Sequence, residues 1–408
     1  MAVAASNSLS RQETWSLLFL AGACLGVLVN TFEGEGAPLV SSIAFSGISF
    51  AVTFTMIRWL GPVFIRAGLS GKDMAKPNRP VIPETMGAVC AVVYLLVLIF
   101  FIPFAFYKDI VAATSGGGNR DVVLEVHHVE TGRSLHRFPH EKLASYLSGL
   151  LSLQCIVILG IGDDLLDIRW RHKVLIPAFG AIPMLMVYFV DFGVTHVVVP
   201  VPLRPYLGAF LDLGLLYYVY MAAVAIFCPN SINMLAGING VEVAQSLVIA
   251  VLLMINDALY LITPSRHPAT DSHLFSLYFL LPFVGVSLAL LCHNWYPSKI
   301  FNFVYSVPQL FHIIPCPRHR LPKFNAKTGL VDASVTEWNV PPSPLLAMAL
   351  ELLHSLRLAR VRKNEQGQIV ESSNLTILNL WLVWMGPMRE DRLALSMVAV
   401  QAENPSYL

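Results

Sequence analysis

The chain has 408 residues, of which 55% are hydrophobic and 13% charged, and its formal net charge is +1. A soluble domain carries about 25% charged residues, so an ordinary soluble globular protein is excluded. The near-neutral balance, with no basic stripe among interleaved aromatics, gives no reason to expect a nucleic-acid partner.

Charges crowd between long apolar runs, and runs of about 17–25 apolar residues cross a bilayer as helices. The expected fold is an all-α polytopic membrane protein of about eight to nine apolar helices, with cytoplasmic loops forming one site. The first run, Trp15–Val29, is short and follows Arg11; it reads as a signal peptide or as an extra crossing. Crossings are then expected near Pro38–Ile57, Met86–Phe106, Leu143–Gly162, Val174–Val190, Leu213–Cys228, Val241–Thr263 and Leu274–Cys292. The six cysteines have no CxxC pair and read as small membrane-buried side chains.

Alternation of the crossings puts Arg58–Thr85, Asp163–Lys173, Pro229–Gly240 and His293–Lys299 on one side. The first two of these loops are rich in Lys and Arg, which makes that side cytoplasmic. On the other side, DVVLEVHHVETGRSLHRF suggests a small β-hairpin turning at Glu-Thr-Gly. Four polar motifs stand out, and all are expected on the cytoplasmic side.

In ILGIGDDLLDIRWRHK an apolar helix ends in Asp163, Asp164 and Asp167, with 163 and 167 on one face. Carboxylates at a membrane helix end need partners. Arg169, Arg171, His172 and Lys173 would make them an interfacial salt-bridge cluster. A hard-cation site or a proton acceptor suits the same residues equally. NSINMLAGINGVE brackets Asn239 with glycines, so the backbone can turn sharply near a ligand. Its asparagines serve either as helix caps or as metal and nucleobase ligands. GKDMAKPNRPVIPETMG is held extended by three prolines, with Glu84 just before the next crossing; a plain basic loop is the alternative. CPRHRLP presents Arg318, His319 and Arg320, suited to phosphate oxygens or to a positive flank.

Together these motifs describe a membrane-surface site for a diphosphate held with a divalent cation. The runs LGIGDDLLDIRWRHK, LDLGLLYYVYM, NSINMLAGINGVE, HNWYPSK, FNFVYSVPQLFHIIPCPRHRLP and NLTILNLWLVWMG resemble the polyprenyl-phosphate hexosamine-1-phosphate transferases, and PCPRHR their eukaryotic branch. The resemblance covers about Ser41 to Gly386.

It implies transfer of GlcNAc-1-phosphate from UDP-GlcNAc to dolichyl phosphate, the first step of N-glycan precursor synthesis. It also implies a multi-pass protein of the endoplasmic reticulum membrane with its site facing the cytosol. By the same resemblance Asp163 and Asp164 are the catalytic aspartates, Asn233 is a ligand of the cofactor Mg²⁺, and Lys173 contacts phosphate. Asn239 reads uracil, Lys72, Asp73 and Met74 lie along the uridine, and Glu84 belongs to the donor site. Arg318, His319 and Arg320 cover the sugar and diphosphate, and Phe227 and Asn230 line the lipid-phosphate path. The implied partners are UDP-GlcNAc, dolichyl phosphate and the bilayer, with a homodimer and glycosylation-complex proteins beyond them.

After HNWYPS the family continues through a G-D-T motif, whose aspartate is its second metal ligand, and then a further crossing. Here Lys299 runs straight into IFNFVYSVPQ, so roughly 35 residues, about one crossing, are absent. The transferase activity of this chain is therefore expected to be weak or lost. The competing reading is a non-catalytic membrane protein that binds nucleotide sugar or glycosylation partners, as a splice variant or an incompletely assembled gene would encode. If Ile300–Cys316 spans, Arg318–Arg320 emerge on the far side; a re-entrant segment would return them. Four parts are expected. An N-terminal segment with an extra membrane helix covers 1–37 and a transmembrane domain 38–316. A substrate-binding loop and amphipathic region, cytosolic in the family, covers 317–378; its helix led by Ser343 and Pro344 reads equally as interfacial or as a plain solvated helix. A truncated C-terminal segment covers 379–408.

Overall fold

The structure, a computed structural model, describes residues 9–33, 37–72, 81–114, 138–166, 175–199, 201–235, 239–263, 270–295, 322–325, 328–338, 342, 344–364, 366–374 and 376–402. The membrane-type helices are α1 (Arg11–Glu33), α2 (Pro38–Arg66), α3 (Met86–Ala105), α5 (His140–Leu166), α6 (Ile176–Asp191), α7 (Leu216–Leu235), α8 (Val241–Ile262) and α9 (Thr270–Asn294); α4 (Tyr107–Thr114) is a short helix after α3. Among the described residues, six helices are long and apolar enough to cross a membrane: α1, α2, α3, α5, α8 and α9. α6 and the Leu216–Asn230 part of α7 are shorter apolar helices.

Successive helices run in opposite directions. Tyr146, near the start of α5, donates to the Leu98 carbonyl of α3 at 2.8 Å and packs edge-on to Phe106. Ser145 meets Asp191 at the end of α6, and Tyr188 stacks on Tyr217 at the start of α7. Lys142 pairs with Asp271 at 2.9 Å, and His273 with Asp257 at 2.7 Å. These contacts tie together one end of the bundle, where the hairpin β3 (His196–Val198) and β4 (Phe210–Asp212) lies between α6 and α7. The opposite end carries Arg58, Arg66 and the hairpin β1 (Ser70–Lys72) and β2 (Val81–Pro83), and is the basic end.

The strongest helix pair is α2 against α9, and small residues make it. Ser46 donates to the Leu281 carbonyl at 2.6 Å and Ser49 to the Pro282 carbonyl at 3.3 Å. A Cβ on Gly285 would collide with the Ser46 carbonyl. In a bilayer such close backbone approach replaces the hydrophobic drive that water would supply. α1 joins the bundle in the same way: Gly47 leaves room for Cys24, whose Sγ a Cβ would meet at 2.5 Å, and Leu28 is buried in the core. The Trp15–Val29 run thus lies within α1, which meets α2 along one face while Trp15, Leu18, Phe19 and Leu25 stay exposed.

Two expected boundaries shift. α2 continues past Ile57 to Arg66, because Arg58 is paired and Pro62 removes only one backbone donor. α7 continues through Pro229 to Leu235, so Asn230 and Asn233 belong to a helix end and not to a loop. None of the five described cysteines is in a disulfide; Cys90 is buried, whereas Cys228 and Cys292 face outward. The hairpin expected in 121–138 lies outside the described residues, apart from Phe138, and so does the cap expected at Ser343.

A C-terminal module with strands follows. β5 (Lys323–Asn325) pairs with β6 (Leu330–Asp332), and β7 (Val335–Glu337), β9 (Ile369–Ser373) and β8 (Val361–Lys363) form an antiparallel sheet in that order. α10 (Pro344–Ser355), α11 (Ile377–Met385) and α12 (Glu390–Ala402) complete it. Val331, Leu378, Leu382 and Leu393 bury themselves with Val241, the first residue of α8, and pack on Trp295. The module therefore sits on the basic end. Trp295 and Phe324, which bracket residues 296–321, belong to one apolar cluster. Asn374, which with Leu375 and Thr376 forms an N-x-T sequon, is 2% exposed and inside the sheet module, accepting from Thr336 at 2.5 Å and donating to Ser334 at 2.8 Å.

Candidate active site at the basic end

Three stations of predicted site residues gather at the basic end. The first is the last turn of α5. Gly160 and Gly162 carry the helix out of its apolar stretch, and Asp163 and Asp164 follow before it stops at Leu166. Asp163 is half-buried, with its Oδ1 closed to solvent, while Asp164 is exposed. Two adjacent carboxylates at a helix C-terminus oppose the helix dipole, so cationic company is what makes them tolerable there. Asp167 and the basic run Arg169–Lys173 lie outside the described residues.

The second station is the turn from α7 into α8. Asn239 is 8% exposed, and its main-chain N–H donates to Glu390 Oε1 at 3.1 Å. Gly240 has φ +89°, and its N–H donates to Asn294 Oδ1 at 2.8 Å. A side chain there would be strained by the backbone and would meet the Trp295 ring. The turn is thus clamped by the end of α9 on one side and the start of α12 on the other. Asn233 lies on the final turns of α7. Asn230 donates its amide to the Ile226 carbonyl one turn back at 2.7 Å, and Phe227 points outward, 65% exposed.

The third station is the β1–β2 hairpin. Glu84 follows β2, and its carboxylate lies over Gly71, where a Cβ would collide with it. Burial raises the Glu84 carboxyl above its ordinary range. Thr85 next to it is left-handed, at φ +61°, a strained setting for a β-branched residue. Lys72 pairs with Val81 in the hairpin ladder. Asp73, Met74, Lys173, Arg318, His319 and Arg320 lie outside the described residues.

The structure adds residues that the motifs alone did not single out. His293 is 2% exposed; its Nδ1 donates to the Ala289 carbonyl at 2.8 Å, and its Nε2 accepts from Arg58 Nε at 3.2 Å. These partners place the proton on Nδ1. Arg58 also pairs with Glu13 at 3.0 Å and lies over the Phe54 ring. The HNWYPSK motif contains His293 and Asn294, so the signal was present, but their partners are distant in sequence.

Among the described residues no group of three His, Cys, Asp or Glu side chains gathers as a metal cluster. The donors at the basic end are instead a carboxylate pair and asparagines, the hard oxygen set that suits Mg²⁺ better than a soft transition metal. The arrangement offers oxygen ligands, a clamped asparagine turn and a partly buried glutamate around the helix ends.

The profile of glycosyl transferase family 4 matches residues 146–302, which span the first two stations and end beside the Lys299–Ile300 junction. The UDP-N-acetylglucosamine–dolichyl-phosphate N-acetylglucosaminephosphotransferase of Saccharomyces cerevisiae is 47% identical over 420 positions, covering 93% of this chain and 92% of the yeast protein. The protein of that name in Schizosaccharomyces pombe is 44% identical, covering 92% of each chain. The one in Dictyostelium discoideum is 33% identical over 89% of this chain and 86% of its own.

Proposed function

Because the chain belongs to the family of UDP-N-acetylglucosamine–dolichyl-phosphate N-acetylglucosaminephosphotransferases, we infer that it transfers GlcNAc-1-phosphate from UDP-GlcNAc to dolichyl phosphate. The observation that carries this reading is identity of 47% across 93% of the chain. An oxygen of the lipid phosphate attacks the sugar-side phosphorus, and the bond to the uridine-side phosphate oxygen breaks. UMP leaves with the electron pair, and GlcNAc-PP-dolichol remains in the membrane. Identity at this level favours an enzyme over a non-catalytic binding protein.

In this reading Asp163 and Asp164 face the reacting phosphates from the end of α5. With Asn233 they would hold Mg²⁺, whose chemistry there is to neutralise charge on the diphosphate. Asn239, its main chain fixed by Glu390, offers uracil a donor and an acceptor from one side-chain amide. Glu84, with Lys72, Asp73 and Met74, closes the donor side. Lys173, Arg318, His319 and Arg320 supply cations for phosphate oxygens, and Phe227 and Asn230 border the lipid path. The helix bundle lies in the endoplasmic reticulum membrane with its basic end toward the cytosol.

The seam at Lys299–Ile300 is part of this proposal. The alignment with the S. cerevisiae protein spans 420 positions while taking in only 93% of a 408-residue chain. The relative therefore carries residues with no counterpart here, in keeping with loss of the segment that holds the G-D-T aspartate. One fewer anionic oxygen near the diphosphate weakens transition-state stabilisation and slows transfer.

The test is incorporation of labelled GlcNAc-phosphate into dolichyl phosphate by the purified full chain, beside the S. cerevisiae protein. Magnesium-dependent product formed more slowly than by the relative is the expected result. Equal rates would remove the impairment and leave the reaction. Tight UDP-GlcNAc binding with no product would replace the reaction with a binding role.

A further inference from the structure

The C-terminal module carries a hollow that the transfer reaction does not use. Its volume is about 370 Å³, and His354, Arg357, Ala359, Arg360, Val383 and Trp384 line it. None of the residues of the stations at α5, α8 and the β1–β2 hairpin lines it.

Arg357 ends α10 in the left-handed region, at φ +57°. Helix termini usually place glycine in that conformation, because a Cβ is strained there. The amides of Leu358 and Ala359 both close back on the Leu353 carbonyl, at 2.7 and 3.2 Å, completing a turn that glycine would make with less strain. Arginine at this position points to a use for its side chain. Arg357 and Arg360 are both exposed, and among the described residues neither forms an ion pair. The Arg357 carbonyl accepts from the Trp384 indole N–H at 2.7 Å, which fixes the ring at the rim of the hollow.

The surroundings say what such a hollow meets. Met348, Leu352 and Leu356 recur every fourth residue and are 68%, 60% and 58% exposed; Met385 beside Trp384 is 63% exposed. The same module packs through α11 and α12 on Val241 and Trp295, at the ends of two membrane helices. An exposed apolar stripe with exposed Arg and Trp, on a module seated at membrane-helix ends, has the composition of an interfacial lipid-binding face.

We propose that this hollow binds the phosphate-bearing headgroup of an anionic phospholipid in the leaflet at the basic end. The guanidinium groups of Arg357 and Arg360 take the phosphate oxygens through charge-assisted bonds. Trp384 lies at headgroup depth, and Met348, Leu352 and Leu356 enter the acyl region. The proposal rests on the chain being embedded in a bilayer and is independent of whether it turns over UDP-GlcNAc.

The test uses the full chain in detergent, with dioctanoyl phosphatidic acid, dioctanoyl phosphatidylcholine and inorganic phosphate as probes. Tryptophan fluorescence and native mass spectrometry report binding. Phosphatidic acid is expected to bind saturably and to weaken as salt is raised. Arg357→Gly and Arg360→Ala should each reduce its affinity about tenfold, the scale of one charge-assisted contact. Arg357→Gly should leave the melting temperature equal or higher, since glycine suits the turn. Phosphatidic acid binding that survives the double variant would overturn the proposal. So would inorganic phosphate or phosphatidylcholine binding as tightly, and so would a lowered melting temperature accompanying the loss in Arg357→Gly.

Discussion

Gly240 and Trp295 stand so close that a methyl group on the glycine would lie 2.8 Å from the indole Cε3. The contact brings the Asn239 turn against the end of α9, and the φ of +89° at Gly240 makes the turn unsuitable for any L side chain. Gly240→Ala is therefore expected to destabilise the chain by about 1–3 kcal/mol, from left-handed strain and displacement of the ring. Because the Asn239 amide moves with the turn, UDP affinity should fall as well. Thermal melting and UDP titration of the detergent-purified variant check both.

Glu84 makes a prediction with a definite sign. Burial raises its carboxyl, so the folded chain keeps the Glu84 proton at pH values where the unfolded chain has released it. Its contribution to stability is complete below the ordinary glutamate value, about 4.3, and is lost as the pH rises through the raised value. Glu84→Gln, which carries no charge at any pH, should be more stable than the parent at neutral pH. The difference should close on acidification. Denaturation midpoints of both proteins, followed upward from below the ordinary glutamate value to neutral pH, test the sign.

Arg58 is the donor to a histidine ring that is 2% exposed. Arg58→Ala removes that bond, the Glu13 pair and the cation over Phe54. The expected cost is about 1–3 kcal/mol, mostly from the buried histidine acceptor, because the Glu13 side of the ion pair is open to solvent and such pairs contribute about 0–1 kcal/mol. Glu13→Gln should accordingly cost much less than Arg58→Ala. Melting temperatures of the two variants decide it.

The shared cluster of Trp295 and Phe324 makes a prediction about topology. Both ends of the stretch 296–321 sit at the basic end, so the far-side emergence that one crossing would give is not the arrangement of its flanks. A cysteine introduced at Lys323, which is exposed on β5, should react with an impermeant maleimide from the same membrane side as one introduced at Arg66. The check is labelling in sealed microsomes of a variant without other cysteines. Reaction from opposite sides would sink it.

The membrane helices were legible because hydropathy over some twenty residues is a bulk property of a segment. Their ends were less so. Arg58 and Pro62 look like terminators, yet α2 runs to Arg66, since Glu13 and His293 accommodate the charge. The strands β5 to β9 were missed because they are three to five residues long, and β5 and β6 pack in a cluster with Val241 and Trp295, far away in the chain. At the site, the Asp163–Asp164 pair and the Asn239–Gly240 turn announced themselves by composition. The bond from Arg58 to His293 could not, since it joins positions 235 residues apart.

The serine–glycine crossing of α2 and α9 bears on how the protein is made. Ser46 and Leu281 are separated by 235 residues. At about 5–20 residues per second a ribosome needs roughly ten to fifty seconds to deliver the second after the first. Until then Ser46 and Ser49 lack the surface they are shaped for. The nascent bundle stays open along that crossing for most of its synthesis.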